Sequence, residues 1–196
     1  MALVTRGFTG RRREPDPHVP PGQTVVGDWP VLSAGPTPVV ETEDWELRIV
    51  TETATHTWSW DGLLALGVED VTVDIHCVTH WTKLGMAWRG VPLDALFAEV
   101  ETTRDFVMAH SYGGYTTNVP LDELLDGQAW IAIEADGEPL EPEHGGPARL
   151  LVPHLYFWKS AKWIHGLQMM EDDDPGFWEQ NGYHLHGDPW TEERYS

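Results

Sequence analysis

The sequence predicts an α+β fold: a mixed, strand-rich core with short peripheral helices. Three observations point there. Short β-branched or alternating runs recur between residues 40 and 170, each stopped by Gly, Pro or Asp. The 19 glycines and 15 prolines among 196 residues interrupt the chain too often for long helices. A hydrophobic share of 41%, including 11 tryptophans, is enough for one core.

Taken in order, Trp45-Glu46-Leu47-Arg48-Ile49-Val50 reads as a strand and His56-Thr57-Trp58-Ser59-Trp60 as a second, before Asp61-Gly62 turns into a short helix over Leu63–Leu66. Val71 to Trp81 is one β-branched strand ending in polar and aromatic groups. Val91 to Phe97 reads as a helix with proline in its first turn. Asp105–His110 is a strand ending in the loop Ser111-Tyr112-Gly113-Gly114; Thr116–Val119 is extended and Pro120–Leu125 a short helix. Ala129–Glu134 is a strand closed by the hairpin turn Asp136-Gly137, Pro147–Pro153 is a strand between prolines, and Trp163–Met170 is the last strand. Residues 1–27 read as an extended N-terminal arm, 28–170 as the domain, and 171–196 as a polar and aromatic tail that wraps the surface.

The formal net charge of −20 argues against nucleic acid and anionic membrane as partners. Against that background, Lys159-Ser160-Ala161-Lys162 concentrates two of the three lysines, which points to an anionic ligand. Arg11-Arg12-Arg13 hints at an export signal, but Glu14-Pro15-Asp16-Pro17-His18 follows with no apolar segment, so the expected location is cytoplasmic. No run approaches the ~20 apolar residues of a membrane-inserted helix.

Cys77 is the single cysteine, flanked by His76 and His80 at a strand end. It is either an inert buried thiol or a working thiolate. Zinc would ask for four ligands, commonly in paired groups, and adjacent strand residues face opposite ways, so His76 and Cys77 do not share a metal easily. A lone thiolate suits a metal whose other ligands come from an organic cofactor. A Cys–His hydrolase with Cys77 as nucleophile is the alternative, though no feature selects its base. Glu143-His144-Gly145-Gly146-Pro147-Ala148-Arg149 sets His144 and Arg149 around a glycine turn that lets backbone N–H groups approach an anion. With Tyr156-Phe157-Trp158 and the lysines that follow, it describes a site for a flat, phosphate-bearing ligand. His184 and His186 could hold a metal, but the surrounding Phe177, Trp178, Tyr183 and Trp190 read better as anchors that pin the tail.

The ordered set Cys77-Val78 with Trp81, Trp88-Arg89-Gly90-Val91-Pro92-Leu93, Gly145 through Pro153, and Lys159-Ser160-Ala161-Lys162-Trp163-Ile164 resembles the molybdopterin-binding domain of the sulfite oxidase family. It is most similar to the short prokaryotic members, which include the catalytic subunit of the periplasmic methionine-sulfoxide reductase. The resemblance covers about residues 28–170, with a similar closing stretch from Gly176 to Trp190.

The resemblance implies a molybdenum–molybdopterin cofactor and oxygen-atom transfer on a small S-oxide, N-oxide or sulfur oxyanion. By position, Cys77 ligates molybdenum. His144, Arg149, Ser160, Ala161 and Lys162 hold the pterin and its phosphate, and His110, Ser111 and Tyr112 contact the pterin or line the metal pocket. Thr79 takes a position near the metal that is acidic in the reductase. His80, which can protonate, and Lys83, the nearest cation, complete the expected catalytic group with Cys77 and Thr79. Sulfite oxidases carry arginines just after the cysteine, and Val78 to Lys83 contains none, which turns the expectation away from sulfite. An external electron-transfer partner, a cytochrome or a membrane subunit, is implied as well. A module that binds pterin or another anion without turnover is the remaining alternative.

Overall fold

The computed structural model describes residues 16–196; the Arg11–Arg13 run lies outside them. Two sheets share one core. In the arm, β1 (Thr24–Val25) is followed by a long irregular segment before β2 (Glu46–Val50), β3 (Thr55–Ser59) and the helix α1 (Trp60–Ala65), which Ser59 caps by accepting from the Gly62 N–H at 3.2 Å. β4 (Glu69–Cys77) and β5 (Trp81–Pro92) form a hairpin that leads into α2 (Leu93–Phe97). Next come β6 (Phe106–Ser111), β7 (Thr116–Pro120), β8 (Trp130–Ala135), β9 (Glu138–Pro139), β10 (Arg149–Leu151) and β11 (Ile164–Met170), with α3 (Phe177–Gln180) in the tail.

The first sheet runs β1-β5-β8-β10, with β4 on β5 and β9 on β8; the second runs β3-β2-β11-β6-β7. Within the second, β2 and β11 are parallel and the other pairs antiparallel. The pleat decides the layers. In β8, Ile131 and Ile133 face the core shared with Leu47, Val107 and Leu167, while Trp130 and Ala132 face a second cluster. That second cluster holds Ile75, Cys77, Trp81, Trp88, Tyr156 and Trp158. The first sheet is therefore buried on both sides, and the thiol sits on the side away from the second sheet.

Three expected elements differ. The strand read from Val71 to Trp81 ends at Cys77, and the chain reverses there with His80 in the left-handed region at φ 71°. The returning β5 went unread because Lys83-Leu84-Gly85 breaks the alternation, with Gly85 at φ 61°. The helix expected from Val91 starts at Leu93, since Val91 and Pro92 still pair with Ile131 and Trp130. Pro120 likewise stays in β7, ahead of a single 3₁₀ turn over Leu121–Leu124. Among the described residues no helix is long and apolar enough to cross a membrane.

Candidate active site

A cavity of about 430 Å³ opens beside the second cluster. The β4–β5 turn contributes Cys77, Val78 and Thr79 to its wall. The stretch around β10 contributes His144, Arg149, Phe157, Ser160, Lys162 and Trp163. Trp29 and residues 32–36 line it from the arm side, and Phe177, Trp178 and Tyr183 from the tail.

Cys77 is 6% exposed, and its Sγ lies 3.1 Å from Thr79 Oγ1. Burial pushes the thiol pKa up; the Thr79 hydroxyl, the Thr79 and Val78 amides and the charge of Arg194 pull the other way. No histidine ring among the described residues hydrogen-bonds to Sγ: His76 Nδ1 is 2.9 Å from Thr82 Oγ1 and His80 Nδ1 is 3.0 Å from the Gly22 carbonyl. No imidazole is set against Sγ as the base of a Cys–His hydrolase would be.

The cation end is built on a close backbone approach. Gly145 has φ 102°, and a Cβ there would meet Lys162 Cβ at 2.8 Å, so glycine lets the two segments meet. Arg149 is 1% exposed; Nη1 donates to the His144 carbonyl at 2.9 Å and Nη2 to the Ser160 carbonyl at 2.7 Å. Lys162 Nζ donates to the carbonyls of Glu143 at 2.6 Å and Leu32 at 2.8 Å. Ser160 Oγ accepts from the Val152 N–H at 2.9 Å. The His144 ring stacks on Trp29 with centroids 3.8 Å apart, and Arg149 lies 4.1 Å over the Phe157 ring. Burial, then the charges of Arg149 and Lys162, hold the His144 pKa down to about 4, so its ring is neutral. Burial lowers Arg149 to about 9, and burial with repulsion from Arg149 lowers Lys162 to about 8.

The cavity therefore gathers Cys77, Thr79, His144, Arg149, Ser160 and Lys162. Other residues expected at the site lie outside its lining. Lys83 Nζ is 2.6 Å from Asp136, because β5 aims it at the β8–β9 turn. The left-handed backbone of His80 swings its ring onto the arm. His110 sits on the second sheet, 6.3 Å from the His165 ring, with a buried Nε2 that has no partner. Ser111 is buried there too, and the Tyr112 hydroxyl accepts from the Glu46 N–H at 2.9 Å. Ala161 packs in the main core.

Lys159, read as half of an anion-binding pair, has another task. It is fully buried and donates to Glu179 Oε1 at 2.7 Å, and that oxygen also accepts from Trp158 Nε1 at 2.8 Å and Thr117 Oγ1 at 2.9 Å. The pair bolts α3 to the core, placing Trp178 and Tyr183 on the cavity wall. Sequence reasoning missed Trp29, Trp178, Tyr183 and Arg194 as site residues. For Trp178 and Tyr183 the run of aromatics in the tail is the available signal; Trp29 and Arg194 carry none.

The residues present fit a molybdenum–pterin group. Among the described residues Arg149 and Lys162 bond only carbonyls, no carboxylate is paired with either, and the buried Arg149 Nε has no partner. Burial lowers both cations and Arg149 lowers Lys162 further, yet in a chain of net charge −20 neither is paired with a carboxylate. Flat walls from Trp29, His144 and Phe157 suit a planar ring. No cluster of three or more His, Cys, Asp or Glu among the described residues is placed to hold a metal ion.

Comparison with known proteins defines the class. Residues 34–178 match the family described as the oxidoreductase molybdopterin binding domain, and the chain belongs to that family. It is 41% identical to the uncharacterized oxidoreductase YuiH of Bacillus subtilis, over 96% of this chain and 98% of that one. A putative protein-methionine-sulfoxide reductase subunit, YedZ1 of Azospira oryzae, is 29% identical over 67% of this chain and 51% of its own length. The mitochondrial sulfite oxidase of Drosophila melanogaster is 28% identical over 76% of this chain and 31% of its own. In three dimensions the chain resembles the sulfane dehydrogenase SoxCD of Paracoccus pantotrophus, with a TM-score of 0.64 at 21% identity over 74% of this chain and 42% of that one, a likeness of fold. The protein is an oxidoreductase with a molybdopterin-binding domain.

Proposed function

We propose that the chain holds a molybdenum–molybdopterin cofactor through the Cys77 thiolate and transfers an oxygen atom to or from a small neutral S-oxide or N-oxide. The observation that carries this is the single cavity shared by a lone buried thiol and two cations lacking a carboxylate.

Arg149 and Lys162 would grip the phosphate end, with the Ser160 backbone beside them, and His144 and Trp29 would cover the ring. Cys77 would hold the metal as thiolate, a form the metal itself favours. Thr79 Oγ1 can donate to that sulfur and damp its charge. When bound, the cofactor supplies the two-electron chemistry of oxygen transfer. The protein's share is to bind, orient and exclude water. Reduction of an S-oxide consumes two electrons and two protons and releases water, so an external electron donor is required, a cytochrome or a membrane subunit being the partner class.

The substrate side is aromatic. Tyr183 packs 5.1 Å from Trp158 and 4.9 Å from Trp178, and Phe177 packs 5.0 Å from Trp178. Among the described residues the lining cations are Arg149 and Lys162, both assigned to the phosphate. An oxyanion finds no further charge there, whereas a neutral dipolar oxide can set its electron-poor sulfur or nitrogen against the rings.

The test is metal and pterin analysis of protein made in a host with active molybdenum-cofactor synthesis. Near-stoichiometric molybdenum with pterin, and reduction of an alkyl sulfoxide by a reduced dye, are expected. Pure folded protein lacking both would refute the reading.

A further inference from the structure

The turn that carries Cys77 is held from both ends of the chain. Within it the His80 N–H donates to the Cys77 carbonyl at 3.1 Å, closing a tight reversal between β4 and β5. Two carbonyls of this reversal accept from remote side chains. The Cys77 carbonyl accepts from Gln23 Nε2 at 3.0 Å, and the Val78 carbonyl from Arg194 Nη1 at 2.6 Å. Arg194 Nη2 lies 3.4 Å from the Pro21 carbonyl, so one guanidinium joins tail, turn and arm. Backbone pairing adds to the hold: the Thr24 and Val26 N–H groups each donate at 2.9 Å, to the carbonyls of His80 and Thr82.

Arg194 is only 7% exposed and lies 4.9 Å over the Tyr156 ring. Its buried Nε has no partner, and its other nitrogens donate to carbonyls. Burying a guanidinium without a carboxylate is costly, and in a chain with 32 acidic residues a carboxylate partner is readily available. What the burial secures is the conformation of the residue next to Cys77. A turn between strands is ordinarily among the more mobile parts of a sheet, while a metal-binding thiolate must be presented to within a few tenths of an ångström.

We propose that Arg194 and Gln23 are positioning residues for Cys77, fixing the Cys77–His80 turn so that Sγ faces the cavity. This rests on the reading of Cys77 as the metal-binding thiolate. Neither residue touches the cavity chemistry; both act through the turn.

The test uses the full chain as purified from a host that makes molybdenum cofactor, in wild-type, Arg194→Met, Arg194→Lys and Gln23→Leu forms. Amide hydrogen exchange across residues 77–82 should quicken about tenfold or more in Arg194→Met and Gln23→Leu, with β2, β6 and β11 unchanged and Arg194→Lys partly restored. The thiolate-to-metal absorption band should shift in Arg194→Met and move back toward wild type in Arg194→Lys. Exchange that stays slow at the turn would overturn the proposal, as would exchange that rises across the whole chain. So would an unmoved band in a variant whose turn has loosened, or an Arg194→Met chain that cannot fold while Gln23→Leu folds with an unaltered turn; either leaves only a structural strap. Wild-type protein without molybdenum would refute the role of Cys77 as ligand, and the exchange data would still report on the clamp itself.

Discussion

The two ends of the cavity are assembled in opposite ways. The cations come from one continuous stretch, Glu143 to Lys162, folded back on itself around Gly145 and Gly146, with Trp29 and Leu32 added against it. The thiol end is gathered from Pro21–Gln23, Cys77–His80 and Trp178–Arg194. One end is mostly local in sequence; the other depends on segments near both ends of the chain closing over a turn. Damage to the tail should therefore reach the thiol and leave the cation end intact, and the reverse should hold for damage around β10.

The largest effect is expected at Cys77 itself. Cys77→Ala should abolish oxygen-atom transfer with reduced or oxidised dyes, while thermal unfolding shifts little, since one sulfur atom is removed from the small pocket it fills at a cost of about 1 kcal/mol. Retained turnover would remove the ligand role. Next, Arg149→Leu leaves the carbonyls of His144 and Ser160 without a charged donor and takes away the main anion grip. Pterin content per chain should fall about tenfold or more; undiminished content would place the phosphate elsewhere.

Glu179→Ala separates the ends most cleanly. Lys159 and Glu179 are both fully buried, and removing one partner of such a pair costs about 3–5 kcal/mol. Urea unfolding should show that loss. The variant should retain pterin at low temperature but lose turnover, because α3 no longer fixes Trp178 and Tyr183; if pterin is lost first, the two ends are not independent. Thr79→Val removes one hydrogen bond to Sγ, worth about 0.5–1.5 kcal/mol, and should lower turnover a few-fold with cofactor content unchanged.

The smallest effect is a pH dependence of the tail. His186 bridges Glu123 at 2.7 Å and Glu193 at 2.8 Å, and Glu123 also meets His154 at 2.6 Å. Burial alone would lower the His186 pKa and raise those of the carboxylates, but the two carboxylates raise the histidine, the histidine partners of Glu123 lower it, and the Asp188 N–H and then the histidines lower Glu193. A raised histidine stabilises the fold at low pH and ceases to do so as pH climbs through its folded value, above 6.5. The lowered carboxylates stabilise above their ordinary 4.5 and fail as pH falls below it. The clasp should be firmest between those values, seen as a maximum in tail protection by hydrogen exchange that His186→Gln flattens.

The same contrast explains what could be read from the chain. Leu47 and Ile49 in β2 and Val107 and Ala109 in β6 alternate in burial, and β8 opens on the apolar run Trp130-Ile131-Ala132-Ile133, so the strands and the α+β class follow from pattern and turn residues. Arg149 and Lys162 stand out because cations are scarce and the glycine turn lies close by in sequence. Lys159 shared those cues, yet its buried partner Glu179 lies beyond the last strand, where no periodicity announces a contact. Lys83 and His80 stand near Cys77 in sequence, but His80 at φ 71° turns its ring onto the arm and β5 carries Lys83 to Asp136. Trp29, Tyr183 and Arg194 reach the site only through long-range packing, which local sequence does not encode.

X-ray absorption at the molybdenum edge tests the central claim most directly. Wild-type holoprotein and Cys77→Ser, each loaded with cofactor, should differ by one sulfur ligand at the metal. An identical sulfur count in the two would show that Cys77 is not the tether and would break the link between the cavity's two ends.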